Sequence, residues 1–199
     1  MHDYSAFKQL LLFLADLYRT EGRAGGDQAA AALYNAVDRF PRYLPEPYNY
    51  LPGAAETALK MSPHPKAEIV AAALPLIRWF RATDSMQSIG DDVGARMLVS
   101  ELIGPDGMIY CADTRVGLFV QCPNLDYPTR KHGAEETYVV LGGEAYWNSG
   151  TNPPALKKTG DWVYHRSHIA HRSLTVDKPT IAAWRWTGDI RYEAYACAG

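Results

Sequence analysis

The pattern of hydrophobic and polar positions divides the chain into two parts with different periodicities. In the first part, about 85 residues long, apolar side chains recur at the spacing of three and four residues that marks one face of a helix. The first run with this spacing comprises Phe7, Leu10, Leu11, Phe13, Leu14 and Leu17. Two further helices are predicted, at about residues 27–40 and 65–82, and Pro75 predicts a kink or a break in the second.

From about Met97 the pattern changes to short β-rich runs separated by Gly, Pro and Asp. The predicted strands are 97–103, 116–121, 137–141, 144–147, 162–164, 172–176 and 180–186. Strands at this spacing are typical of an all-β sandwich or barrel. We expect residues 91–199 to form the barrel, with a linker between Thr83 and Ala95. Residues 1–90 then form a helical region that packs on the barrel or builds a dimer contact.

Composition narrows the classes of partner. The 199 residues carry a formal net charge of −2 without a long run of one sign, which argues against binding nucleic acid or an anionic membrane. Thirteen Tyr and five Trp are many for this length. They fit the preference of strands for aromatic residues or, alternatively, an aromatic-lined pocket.

Cysteines and the N-terminus point to a reducing compartment. Cys111, Cys122 and Cys197 are odd in number and irregularly spaced, so we expect reduced thiols and a cytoplasmic protein. The apolar run at residues 10–15 is short and has no basic leader, so it does not predict a signal peptide. No apolar run approaches the ~20 residues of a membrane span.

Two stretches of the second part combine histidine, carboxylate and glycine at fixed spacing. They contain His132, Glu136 and Gly143 in the first stretch, and Gly160, Asp161 and His171 in the second. Together they resemble the two metal motifs of the cupin superfamily. The resemblance implies a double-stranded β-helix, or jelly roll, with one divalent metal held by the two His and the Glu of these stretches. His165 and His168 compete with His171 for the last ligand position.

The first motif departs from the cupin pattern at one position. Arg130 stands where the leading His is normally found, and a guanidinium cannot ligate a metal because it stays protonated. Two His and one Glu still form a sound site for Zn, Fe(II) or Mn. Arg130 itself is either a surface charge or a grip for a substrate carboxylate.

Strand parity adds a candidate base to the site. Side chains alternate across a strand, so Glu136 and Tyr138 share a face and Glu135 points away from it, towards solvent. A phenol beside a metal either ligates it or acts as a base. Barrel packing is the alternative role for Tyr138.

Length, layout and motifs also resemble the cupin-type bacterial dimethylsulfoniopropionate lyases. Their His-x3-Glu-x-Tyr element is matched by His132, Glu136 and Tyr138, and their pocket tyrosine by Tyr127. Trp186 falls where a pocket tryptophan is expected, although core packing would also explain it. The resemblance implies that Tyr127, Arg130 and Trp186 bind the substrate and that Tyr138 is catalytic.

The implied reaction is metal-dependent cleavage of a small zwitterion, dimethylsulfoniopropionate, to dimethyl sulfide and acrylate by base-assisted β-elimination. Aromatic side chains would hold the sulfonium by cation–π attraction. Because one fold hosts many reactions, two alternatives stay open. The protein is otherwise a cupin Fe(II) oxygenase that acts on a small organic acid, or a non-catalytic cupin that binds a ligand.

Overall fold

The computed structural model describes residues 4–43, 53–61, 64–82, 90–192 and 195–197. The helices are α1 (Ser5–Arg19), α2 (Ala24–Ala36), α3 (Ala54–Met61), α4 (Ala67–Ala73) and α5 (Asp91–Gly94). The strands are β1 (Phe80–Arg81), β2 (Met97–Gly104), β3 (Ile109–Tyr110), β4 (Arg115–Gln121), β5 (Leu125–Lys131), β6 (Ala134–Ser149), β7 (Ala155–Lys158), β8 (Trp162–His165), β9 (His171–Thr175), β10 (Thr180–Gly188) and β11 (Ala196–Cys197). Among these residues, no helix is long and apolar enough to cross a membrane.

The helical part differs from its predicted boundaries in three places. The second helix begins at Ala24 rather than residue 27, and α3 had no prediction. The helix predicted at 65–82 breaks at its proline as expected, because α4 ends at Ala73 and Pro75 lies in a 3₁₀ turn. The chain after that turn is extended, and β1 pairs with β2. Most of the predicted linker, residues 83–89, lies outside the described residues.

One curled sheet contains the described strands, in the order β1-β2-β4-β10-β6-β9-β5-β11, with β3, β7 and β8 joined at its sides. The long strand β6 is its hub. The first part of β6 pairs with β10 and β8, and the second part pairs with β9 and β7. The two strands predicted at 137–141 and 144–147 are therefore one continuous strand that passes from one half of the barrel to the other.

A bulge and two glycines allow β6 to make this turn. The register against β10 shifts between Ile181 and Ala182. Gly143 has φ +73°, and a Cβ there would lie 1.9 Å from the carbonyl oxygen of Pro179. A Cβ on Gly142 would lie 2.7 Å from the Ala58 carbonyl oxygen in α3. The extra residue also reverses the alternation, so Trp147 faces the same side as Tyr138.

The sheet buries both faces, because helices cover one and the barrel lumen occupies the other. On β4, Leu118 packs in the cluster shared with the helices, whereas Phe119 packs in the lumen cluster. On β10, Ala183 and Trp184 divide in the same way. The mainly β architecture with N-terminal helices, predicted from the sequence, is confirmed.

A buried ion network fastens the helical region to the barrel. Arg185 on β10 donates to both carboxylate oxygens of Glu21, which follows α1, with Nε to Oε2 at 2.9 Å. Its Nη2 also lies 2.9 Å from Glu135 Oε1. The expectation that Glu135 faces solvent is wrong, because the helical region covers that face and its side chain is only 32% exposed. Thr137 Oγ1 completes the network with a 2.7 Å hydrogen bond to Glu21.

Candidate metal centre

Three residues from different strands or strand ends of the barrel form one buried cluster. His132 follows β5 directly, Glu136 lies on β6 and His171 begins β9. One potential ligand atom from each lies within 4.8 Å of the others, and all three side chains are buried. His165 and His168 do not join this group of three.

The histidine tautomers leave metal-binding lone pairs directed at Glu136. Nδ1 of His132 lies 3.1 Å from the Ala134 carbonyl oxygen, and Nδ1 of His171 lies 2.9 Å from that of Ile169. Because a carbonyl oxygen only accepts, both Nδ1 atoms carry a proton, and each Nε2 atom presents a lone pair when its imidazole is neutral. These Nε2 atoms lie 3.3 and 3.2 Å from Glu136 Oε2.

With both imidazoles neutral in this tautomer, three acceptors would face one another, an arrangement that a shared cation completes. Burial lowers the pKa of His171, and the charge of Arg130 lowers it further, which disfavours an imidazolium there. Burial alone would raise the pKa of Glu136, but His132 and His171 hold it well below its usual value, so the carboxyl is ionised. As neutral imidazoles, His132 and His171 would form with the Glu136 carboxylate a donor set that fits a divalent metal.

The remaining oxygen of Glu136 is held by a tryptophan. Trp186 Nε1 donates a 2.6 Å hydrogen bond to Glu136 Oε1. The two oxygens therefore have separate partners, since Oε2 is directed at the histidines. Trp186 was predicted to bind substrate, and the structure places it in the pocket wall and also against the metal-site carboxylate.

The pocket beside the cluster is lined mainly by aromatic side chains. They are Phe119, Tyr127, Tyr138, Trp184, Trp186, Tyr192 and Tyr195. Tyr138 and Glu136 both line it, as their parity on β6 requires. Burial raises the pKa of Tyr138 well above 10, the charge of Glu136 raises it further, and the charge of Arg130 acts in the opposite direction.

A bulge in β5 brings Tyr127 and Arg130 to the same side. Three residues apart, they would face opposite sides of a regular strand. The register of β5 against β9 shifts between these two residues, where Pro128 cannot supply a ladder N–H. Both side chains consequently line the pocket, and the Arg130 guanidinium carbon lies 3.5 Å from the centre of the Tyr127 ring.

The two competing histidines have different surroundings. His168 is exposed, with φ +59°, and its backbone N–H donates to the His132 carbonyl oxygen at 2.8 Å. His165 is fully buried and stacks on His171 with ring centroids 4.1 Å apart. The expectation that His171, at the start of a β-rich run, is the residue that joins the cluster agrees with its position at the start of β9, 3.2 Å from Glu136.

Two tyrosines of the pocket wall, Tyr192 and Tyr195, were not predicted from the sequence. Tyr192 and Tyr195 follow β10, and the Tyr195 hydroxyl bonds that of Tyr127. Tyr192 donates a 3.1 Å hydrogen bond to Glu101 and lies under the guanidinium of Arg115. No strand-like alternation marks this segment, so the sequence offers only its aromatic content as a signal.

Comparisons with known proteins identify relatives of this chain. The profile of the dimethylsulfoniopropionate lyase family matches residues 51–182, a span that contains the three clustered residues and ends before Trp184. Dimethylsulfoniopropionate lyase DddQ of Ruegeria pomeroyi is 35% identical over 120 residues, or 60% of this chain. That alignment covers 59% of the relative, less than two thirds of its length.

Solved structures extend the similarity to the whole fold. The crystal structure of DddQ from Ruegeria pomeroyi DSS-3 has a TM-score of 0.69 over 98% of this chain and 97% of that chain, at 25% identity. A structure from work on the lyases RdDddP and RnDddQII has a TM-score of 0.64 over 96% of this chain and 100% of that chain. At 21% identity, the second shows the fold alone. The predicted cupin fold is thereby confirmed, and the family match over more than half of the sequence shows that this chain belongs to the dimethylsulfoniopropionate lyase family.

Proposed function

We propose that this protein is a metal-dependent lyase that cleaves dimethylsulfoniopropionate to dimethyl sulfide and acrylate by base-assisted β-elimination. The observation that carries the proposal is a single lumen in which the buried His132–Glu136–His171 cluster adjoins the phenol of Tyr138 and an aromatic wall. Membership of the lyase family supports the same reaction.

The metal ligands in this proposal are His132, Glu136 and His171. Their two imidazoles and one carboxylate suit Zn, Fe(II) or Mn. When bound, the divalent ion would supply Lewis acidity in the pocket and offset the Glu136 charge that raises the pKa of Tyr138.

Tyr138 is the proposed general base. Its phenolate takes the proton from the carbon next to the substrate carboxylate, and the electron pair of that C–H bond forms the new C=C bond. The C–S bond breaks with its pair on sulfur, so the sulfonium leaves as neutral dimethyl sulfide. Acrylate remains, and the proton resides on Tyr138. The buried position of Tyr138, 5% exposed, keeps bulk water from competing for this step.

The aromatic wall is the proposed site for the sulfonium. Cation–π attraction contributes roughly 0.5–2 kcal/mol per well-placed ring. Tyr127 and Trp186 are the predicted substrate-binding members of this wall, and Arg130 is the predicted partner for the opposite, anionic end of the substrate. A zwitterion with a short spacer matches a pocket that offers aromatic faces and one guanidinium.

Headspace detection of dimethyl sulfide from purified, metal-loaded protein tests the proposal, with acrylate measured in the same sample. Equal amounts of both products under strict exclusion of O₂ are expected, because an elimination consumes no oxidant. An O₂ requirement would indicate the oxygenase alternative. The absence of both products, with and without O₂, would contradict the proposal.

A further inference from the structure

Arg130 is one of three buried arginines in the described structure, and it differs from the other two. Arg115 is paired with Glu101 at 2.7 Å, and Arg185 with Glu21 and Glu135. Arg130 is 2% exposed, yet neither Nη1 nor Nη2 has a hydrogen-bond acceptor among the described residues. Burying an unpaired guanidinium is costly, and a protein retains one where a ligand completes it.

Carboxylates inside the pocket do not fill this role. Glu136 is the acidic residue of the pocket wall, and its oxygens are already directed at Trp186 Nε1 and at the two histidines. The other polar groups that act on Arg130 are the phenols of Tyr127, Tyr138 and Tyr195, of which Tyr138 lies near enough to interact with the guanidinium directly; none of the three is an anion that would neutralise it. The ring of Tyr127 covers one face of the guanidinium, and both Nη atoms are buried beside the pocket.

Arg130 lies next to two residues of the candidate metal site. Arg130 pairs with His171 across β5 and β9 and precedes His132 by two residues, so it stands beside the metal ligands without being one. Arg130 stands where the cupin motif normally has a histidine, so a permanent positive charge replaces a neutral nitrogen ligand at this position. The Arg130 guanidinium is therefore a fixed positive charge beside the cluster and in the pocket wall.

We propose that Arg130 is a specificity-determining anchor that binds a substrate carboxylate in a bidentate manner and does so without a bound metal. Carboxylate binding and metal binding are then separate properties of this protein. The inference deepens the proposed function and relies on it only for the identity of the full substrate. The ligand class is a small aliphatic monocarboxylate, since the pocket offers one guanidinium and otherwise mainly aromatic faces.

The probe is acrylate, with acrylamide as an uncharged control of the same size, titrated into the full-length protein after metal removal. Calorimetry and ligand-observed NMR should detect acrylate binding and no acrylamide binding. Arg130→Met should weaken acrylate binding about 10- to 100-fold, the range for a lost charge-assisted hydrogen-bond pair. Lys131→Met removes an exposed charge from the adjacent position and should leave the affinity within about twofold.

Resistance to urea and metal affinity provide two further tests of the role of Arg130. Arg130→Met removes an unpaired buried charge, so the metal-free variant should resist urea at least as well as the parent protein. Arg130→His should lose metal-free acrylate binding and hold metal more tightly, because it restores a nitrogen at the motif's leading position.

Three results would overturn the inference. They are no acrylate binding by the metal-free parent at concentrations that saturate the loaded protein, no loss in Arg130→Met, or an equal loss in Lys131→Met. Failure to release dimethyl sulfide would contradict the proposed function instead, and these binding measurements do not depend on turnover.

Discussion

The indole N–H of Trp186 holds one oxygen of Glu136 at 2.6 Å while the other oxygen faces His132 and His171. A carboxylate fixed in this way presents a single oxygen in the direction of the two imidazoles. Hydrogen-bond partners of this kind orient metal ligands, and their removal typically costs 10- to 100-fold in metal affinity.

Trp186→Phe keeps an aromatic ring in the wall and removes the donor to Glu136. We expect the metal dissociation constant, measured in a competition titration with a chelator, to be 10- to 100-fold larger. Trp184→Phe is the matched control, because Trp184 Nε1 donates to the Leu118 carbonyl oxygen and not to a metal-site residue. Equal losses in the two variants would show that bulk, rather than the hydrogen bond, matters.

His171→Ala and His168→Ala together test which histidine completes the metal centre. The buried His171 faces Glu136, whereas His168 is exposed. Elemental analysis should show that His171→Ala no longer retains metal and that His168→Ala retains about one ion per chain. The reverse result would mean that the second motif has been assigned to the wrong histidine.

Tyr138→Phe keeps the ring that packs against Phe119 and Trp147 and removes the oxygen that would take the proton. The rate of dimethyl sulfide release should fall by ~10²–10⁴, the usual contribution of a general base. Metal content and the midpoint of urea unfolding, measured on the same sample, should be unchanged. A folded, metal-loaded variant that works at nearly the parent rate would reduce Tyr138 to part of the wall.

The ion network between the helical region and the barrel predicts a stability effect. Glu21→Ala leaves the buried Arg185 charge with Glu135 as its remaining carboxylate partner among the described residues. The substitution should lower the free energy of unfolding by about 3 kcal/mol. Asp126→Asn breaks the exposed pair with Arg172 and should cost less than about 1 kcal/mol. Urea titrations of both variants make the comparison, and similar small losses would mean that the network does not fasten the helices.

The resemblance to the cupin motifs predicted the His132–Glu136–His171 cluster, and strand alternation predicted the shared face of Glu136 and Tyr138. The shared face follows from regular strand alternation, whereas His132 and His171 meet through the pairing of β5 with β9. Strand β5 was not predicted, because its proline and charged residues resemble a loop, and its bulge reverses the parity that would separate Tyr127 from Arg130. Bulges of this kind arise from pairing with β9, which no local pattern reports.

Contacts between distant segments account for the other differences. Glu135 was expected to face solvent because strand alternation does not reveal that the helical region covers that face. Tyr192 and Tyr195 enter the pocket through the return of the chain after β10, so their role depends on the closed fold. A homodimer contact through the helices and a cytoplasmic location stay predictions.

Metal depletion and reconstitution test whether dimethyl sulfide release depends on a metal bound by His132, Glu136 and His171. The protein is stripped with a chelator and then titrated with Zn, Fe(II) or Mn while dimethyl sulfide is measured in an anaerobic headspace. We predict no release from the stripped protein and a rise that saturates at one metal ion per chain, absent in His171→Ala. Undiminished release from the stripped protein, or full recovery in His171→Ala, would contradict this prediction.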